Sequence, residues 1–91
     1  MKLKLQVYTQ FKKDVKLAKK RHYDMSLLKK VIDTLANGEK LDDKYRDHAL
    51  VGNYVGYREC HILPDWLLVY KIVDNELTLV LARTGTHSDL F

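Results

Sequence analysis

Apolar and polar residues alternate at the start of the chain: Leu3, Leu5 and Val7 interleave with Lys2, Lys4 and Gln6. A two-residue period sends successive side chains to opposite faces, which predicts a half-buried strand. The period then lengthens. Phe11, Val15, Ala18 and His22 recur at helical spacing, and Thr9 stands in an N-cap position, predicting a helix through about His22. A second helix is predicted from the stripe Met25, Leu28, Ile32 and Leu35, with Asp24 as its cap and Asn37-Gly38 as its stop. Residues 39–53 are polar and irregular, long for a connection in so short a chain, and Tyr45, Leu50 and Val51 predict that they are pinned to the body. Three strands are predicted next, over residues 54–62, 66–73 and 76–84, with turns at Leu63-Pro64-Asp65 and Asp74-Asn75. Connections that short make successive strands antiparallel neighbours. The tail has room for one helical turn. The order β-α-α-β-β-β predicts an α+β fold, two N-terminal helices packed on one face of a small, mainly antiparallel sheet. The less covered face is where a site would lie.

Composition narrows the class. Ninety-one residues, 46% hydrophobic and 31% charged, predict one globular domain spanning 1–91. One Pro and four Gly leave no flexible linker. A single cysteine, Cys60, forms no internal disulfide and fits a reducing compartment, the cytoplasm. No cationic-then-apolar leader opens the chain, so no secretory signal is expected, and runs such as 66–70 fall far short of the ~20 apolar residues that span a bilayer. Net charge is +4, but the first thirty residues carry +8 and the rest −4. Lys12, Lys13, Lys16, Lys19, Lys20 and Arg21 cluster in the first helix, with Lys2 and Lys4 nearby. Such a patch suits a phosphate backbone; a solvated helix face is the plainer alternative.

The candidate chemistry lies in the second half, which holds three of the four histidines. His48 sits in the long loop, His61 at a strand end, Asp65 in the next turn, Arg83 at the last strand's end and His87 in the tail. Imidazoles exchange protons near neutral pH, and RNA is cleaved when its 2′-OH attacks the adjacent phosphorus, given a base, an acid and a fixed cation. In a meander the His61 and Arg83 ends lie at the same edge, and Trp66 and Phe91 offer surfaces on which a base could stack. Each piece also has an ordinary reading. A histidine at a strand end is often structural, Trp66 taken alone suits a core, and Arg83 has acids to pair with. No His-x-x-x-His pair is present, so a zinc site is weakly supported. Cys60 alternates away from His61, which predicts an inert buried thiol, and His22 on the first helix's apolar stripe is read as structural.

Several segments, taken together, resemble the YafQ branch of the RelE/ParE toxin superfamily. Residues 13–22, Lys-Asp-Val-Lys-Leu-Ala-Lys-Lys-Arg-His, look like the family's first helix. Asp47-His48-Ala49-Leu50-Val51-Gly52 looks like its loop motif. Gly56-Tyr57-Arg58-Glu59-Cys60-His61 and Pro64-Asp65-Trp66 look like its central strands, and Arg83-Thr84-Gly85-Thr86-His87 with Leu90-Phe91 like its closing motif. The resemblance implies a microbial-ribonuclease-like fold and a ribosome-dependent mRNA endonuclease that inhibits translation and uses no metal or other cofactor. It implies an acidic antitoxin as cognate partner, the toxin being a monomer alone and a hetero-oligomer with that partner. By motif, His48, His61, Asp65 and His87 would be the acid–base set, Arg83 the phosphate stabiliser, and Trp66 and Phe91 the RNA-positioning aromatics. His87 would be the acid and His48 or His61 the base, with Asp65 orienting or sharing the base's role. The basic first helix would grip ribosomal RNA. Ala49 stands where relatives often carry Pro, and Cys60 where a small residue is common. Two other functions compete: a superfamily toxin that poisons a DNA topoisomerase by binding, and a non-catalytic RNA- or ribosome-binding module.

Overall fold

The opening alternation forms a strand, β1 (Lys4–Val7), at the sheet's edge. In the computed structural model, which describes residues 2–91, it runs parallel to the last strand, with Lys4 opposite Thr78 and Val7 opposite Leu81. Leu3 and Val7 are partly buried, but Leu5 is 51% exposed, against expectation: an edge strand has no neighbour on one side to cover it.

Helix α1 (Thr9–Lys20) starts one residue earlier than the predicted cap implies. Tyr8 is the capping residue, without a side-chain cap bond, and Thr9 is already helical. The helix also stops short of His22, which takes φ 62° in the turn beyond and is exposed. That corrects its reading as part of the apolar stripe. Helix α2 (Met25–Ala36) matches expectation: the Asp24 carboxylate accepts the Ser26 N–H at 2.9 Å, and Gly38, at φ 75°, takes a left-handed conformation just past the end.

The remaining elements are β2 (His48–Ala49), β3 (Arg58–Leu63), β4 (Trp66–Val73), β5 (Thr78–Gly85) and a one-turn α3 (His87–Leu90). The sheet order is β1-β5-β4-β3-β2, with every pairing antiparallel except β1–β5. The long segment before β3 is not structureless. It holds 3₁₀ turns at Asp43–Tyr45 and Gly52–Tyr54 around the short β2. Buried Leu41 and half-buried Tyr45 and Leu50 pin it, whereas Val51 is 85% exposed and does not. The Gly52–Tyr54 turn delays β3 by four residues from its predicted start, and a turn at Asp74–Glu76 delays β5 by two.

Both faces of β4 are covered. Trp66, Leu68 and Tyr70 pack against the helices with Phe11, Ala18, Leu28, Val31 and Leu35. Leu67 and Val69 point the other way, into a smaller cluster with Ala82 and Leu90, walled by Tyr8, Leu50, Tyr54 and Tyr57. Each such buried aliphatic side chain stabilises the fold by about 1.5–3 kcal/mol. The α+β arrangement is thus as predicted, and the face away from the helices carries its own small core beside the polar residues described next.

Candidate active site

Strand register assembles the site. His48 lies opposite Glu59, Glu59 opposite Val69, and Val69 opposite Arg83. Cross-strand partners share a face, so one row runs His48–Glu59–Val69–Arg83 on the side away from the helices. His61, two residues beyond Glu59 on β3, joins that face. A register shift between His61 and Leu63 makes room for the tight turn that carries Asp65.

The imidazoles form a line. Ring centres lie 6.3 Å apart for His48–His61 and 5.7 Å for His61–His87. In two of the three, a backbone carbonyl fixes the proton on Nδ1: His48 Nδ1 donates to the Arg46 carbonyl at 2.8 Å, and His61 Nδ1 to the Pro64 carbonyl at 3.1 Å. Both Nε2 atoms then face the same carboxylate, Glu59 Oε1, at 3.7 and 3.4 Å. Glu59 is buried, only 4% exposed. Glu59 was not among the residues expected in the site. Its signal was available: it is in phase with His61 on a strand whose other face carries Cys60 and Ile62.

His87 opens α3 and is held from the turn before β4. The Asp65 carboxylate accepts both the His87 backbone N–H at 3.1 Å and its Nδ1–H at 3.0 Å. Those two bonds, the side-chain one foremost, keep the Asp65 carboxyl below its ordinary range. Asp65 is thus bonded to His87, the expected acid, rather than to His48 or His61, the expected bases it was to orient or assist. The helix itself is a capping box. Thr86 Oγ1 accepts the Asp89 N–H, and the Asp89 carboxylate accepts the Thr86 N–H at 2.9 Å. Asp89 also takes a two-point bond from Arg21, at 2.6 and 3.2 Å, which holds its carboxyl far below the usual range. Gly85 is needed here, because a Cβ on it would meet Asp89 Oδ2 at 2.9 Å.

Two of the cationic candidates are held by carboxylates. Arg21, read as part of the RNA-gripping set, is tied to α3; Lys12, Lys13, Lys16, Lys19 and Lys20 are all exposed on α1. Arg83 shares the imidazole face, but Asp14 of α1 holds it, through Nε at 2.7 Å and Nη2 at 3.2 Å. The Asp14 carboxylate is 8% exposed and also accepts the Thr84 N–H. It lies three residues after Phe11 and four before Ala18, on the buried face of α1, a placement readable from the spacing. The guanidinium is consequently a fixed cation, oriented from the helix layer.

The aromatics divide. Phe91 is 58% exposed, edge-on to Tyr54 with ring centres 5.3 Å apart. Trp66 is 2% exposed, on the helix side. Its indole N–H donates to the Thr84 hydroxyl at 2.9 Å, and Tyr23 packs on it at 4.9 Å. A buried, hydrogen-bonded indole has no face left for a base, so the RNA-positioning role expected of Trp66 is replaced by a core one. Tyr54 is the aromatic that stands beside Phe91. Cys60 is fully buried on the helix side, and burial pushes its thiol up to about 12, as an inert cysteine requires. A set of possible metal donors with no tight spacing in the sequence does come together on this face. Ligand atoms of His48, Glu59 and His61 all lie within 4.8 Å of one another, because register brings together what the sequence separates.

An α+β sheet with proton-exchanging groups, a buried carboxylate and a fixed guanidinium on its open side belongs to the class of small toxins with ribonuclease-like sites. The family profile described as "Bacterial toxin of type II toxin-antitoxin system, YafQ" matches residues 3–91, and the chain belongs to that family. It is 49% identical over 83 residues to the mRNA interferase toxin YafQ of Escherichia coli K12, covering 90% of this chain and 88% of that protein. It superposes on the toxin of the E. coli DinJ–YafQ toxin–antitoxin complex with a TM-score of 0.91 at 44% identity, over 100% of this chain and 99% of that one. A metal-bound toxin from Helicobacter pylori gives 0.92 at 46% identity, over 98% and 99%.

Proposed function

We propose that this toxin is an mRNA interferase: in the cytoplasm it cuts translated mRNA on the ribosome, and an acidic antitoxin related to DinJ restrains it. The observation that carries the mechanism is the pairing of His61 and His87, whose ring centres are 5.7 Å apart, with separate acceptors fixing Nδ1 of each. Each ring then has Nε2 as its working nitrogen, and the two can act on one phosphoryl group bound beside the pair.

His61 Nε2, or His48 Nε2 by way of Glu59, removes the proton of the 2′-OH. The 2′-oxygen attacks phosphorus to give a 2′,3′-cyclic phosphate. As the P–O5′ bond breaks, the leaving oxygen takes a proton from Nε2 of the His87 imidazolium, which Asp65 stabilises through Nδ1. The reaction ends with one proton gained at the base and one lost at His87, so the sum is unchanged. Arg83 offsets charge on the non-bridging oxygens, Phe91 and Tyr54 support a base, and the lysines of α1 approach ribosomal RNA. A topoisomerase-binding toxin would have no use for paired imidazoles with fixed tautomers, and neither would a passive RNA-binding module.

The test is 5′-end mapping of transcripts after brief induction, comparing the natural chain with His87→Ala. Cuts in reading-frame register that disappear in the variant are expected, a loss of about 10²–10⁴-fold for an acid of this kind. An unchanged transcript pool with the natural chain would sink the reading.

The H. pylori relative is metal-bound, and the donors of His48, Glu59 and His61 suit a borderline transition ion here too. An ion on them would occupy the Nε2 lone pairs that proton transfer needs. Zinc is therefore expected to slow cleavage and a chelator to restore it; faster cleavage with zinc would contradict the metal-independent route.

A further inference from the structure

Beside the imidazole line, between the turn at Asp43–Tyr45, α2 and the end of β3, lies a groove of about 420 Å³ with His61 in its wall. That volume is within the ~300–1,000 Å³ of small-ligand sites. Leu27 and Leu63 give it an apolar surface, and Tyr45 with Lys44 and Arg46 forms its rim. Of the four arginines, Arg21, Arg58 and Arg83 are each held by an aspartate. Among the described residues Arg46 has no carboxylate within ion-pair distance, nor has Lys44, whose ammonium lies 5.2 Å from the Tyr45 ring centre. Asp42 and Asp43 precede them in sequence, but neither lines the groove, and the Asp42 side chain is engaged in accepting the Lys44 N–H at 3.0 Å.

The groove also touches the catalytic geometry. The Arg46 carbonyl fixes His48 Nδ1, and the carbonyl of Pro64, another lining residue, fixes His61 Nδ1. Arg83 and Phe91 lie on the other side of the imidazoles, toward β5 and the tail. A strand of RNA crossing the sheet from groove to tail would place one phosphate beside His61 and His87.

We propose that this groove is a nucleotide subsite: it takes the residue flanking the scissile phosphate, base against Leu63 and Tyr45, backbone phosphate at Lys44 and Arg46, and so sets sequence preference beside the cut. This rests on the mRNA interferase reading above.

The experiment pairs Lys44→Ala/Arg46→Asn with Leu63→Glu. Asn tolerates the left-handed backbone of position 46, where φ is 50°, and keeps the carbonyl that His48 needs. Leu63 is 47% exposed, so a carboxylate there repels phosphate without entering the core. A 2′-O-methylated trinucleotide, which lacks the attacking hydroxyl, is titrated against the folded toxin by amide chemical shift, and cut sites are mapped in vivo. Shifts at residues 44–46 and 63, about tenfold weaker binding in both variants and a flattened nucleotide preference beside the cut are expected. Variants that bind and choose sites like the natural chain, or shifts confined to Arg83 and Phe91, overturn the subsite and leave the nuclease reading intact. A natural chain that cuts no message overturns both.

Discussion

His61 and His87 face each other across 5.7 Å, yet the chain holds them by different means. His61 sits within β3, between two paired strands, its side chain 14% exposed and its ring caught between the Pro64 carbonyl and a buried carboxylate. His87 is 56% exposed on a four-residue helix. A helix that short has no stability of its own, so its place depends on Leu90 in the second core cluster, the Asp65 bonds and the Arg21–Asp89 pair. One half of the site is built into the sheet and the other is latched onto it. The sheet-bound half should therefore couple activity to stability, and the latched half should separate them.

The largest effect tests whether the halves work as one machine. His61→Ala and His87→Ala should each lower the cutting rate by about 10²–10⁴-fold, and the double variant by little more than the worse single, because acid and base serve the same transition state. Melting temperatures should divide the pair. His61→Ala leaves a buried Glu59 carboxylate with one fewer partner and should melt markedly lower, while His87→Ala should melt near the natural chain. Fully multiplicative rate losses would mean that the two imidazoles act in different steps.

Much of this was legible in the sequence, and where it was not the reason is physical. The helices, β4, the Asp24 cap and the placing of the His61 and Arg83 strand ends at one edge follow from local periodicity and short connections, whereas the wider set with His48, Asp65 and His87 was supplied by the family resemblance. Trp66 was misplaced because residues 66–70 are buried on both faces, and an unbroken apolar run does not say which face meets the helices. The partners of Arg83 and Arg21, Asp14 and Asp89, lie 69 and 68 residues away, beyond any local pattern. The metal-capable trio was hidden for the same reason: only the β2–β3 register brings His48 to Glu59.

A smaller effect is expected from the latch itself. Arg21→Ala frees Asp89 and loosens α3 without touching RNA, so it should reduce cutting by about tenfold, far less than removing His87 outright. Arg21→Lys should recover part of that loss, since an ammonium restores the charge without the two-point geometry. Were Arg21 chiefly an RNA contact, Lys would serve nearly as well as Arg and salt would set the size of the defect. If salt leaves the defect unchanged while the pH dependence of cutting shifts, the latch is its cause.

The smallest effect is on acid stability. Arg21 and the Thr86 N–H hold the Asp89 carboxyl below its unfolded value of 3.8. A group depressed in the folded state stabilises above its unfolded value, and that contribution is lost as pH falls through the folded one. Asp89→Asn has no proton to take up there. The natural chain should thus melt higher than the variant near neutrality, and the gap should narrow progressively as pH falls below about 4. The same sign applies to Asp65, whose carboxyl His87 depresses, but that group is exposed and water screens its bonds, so Asp65→Asn should change the melting curve less than Asp89→Asn. A gap that stayed constant down to low pH would show that Asp89 acts through its capping geometry alone, and the latch would then owe nothing to the charge on Arg21.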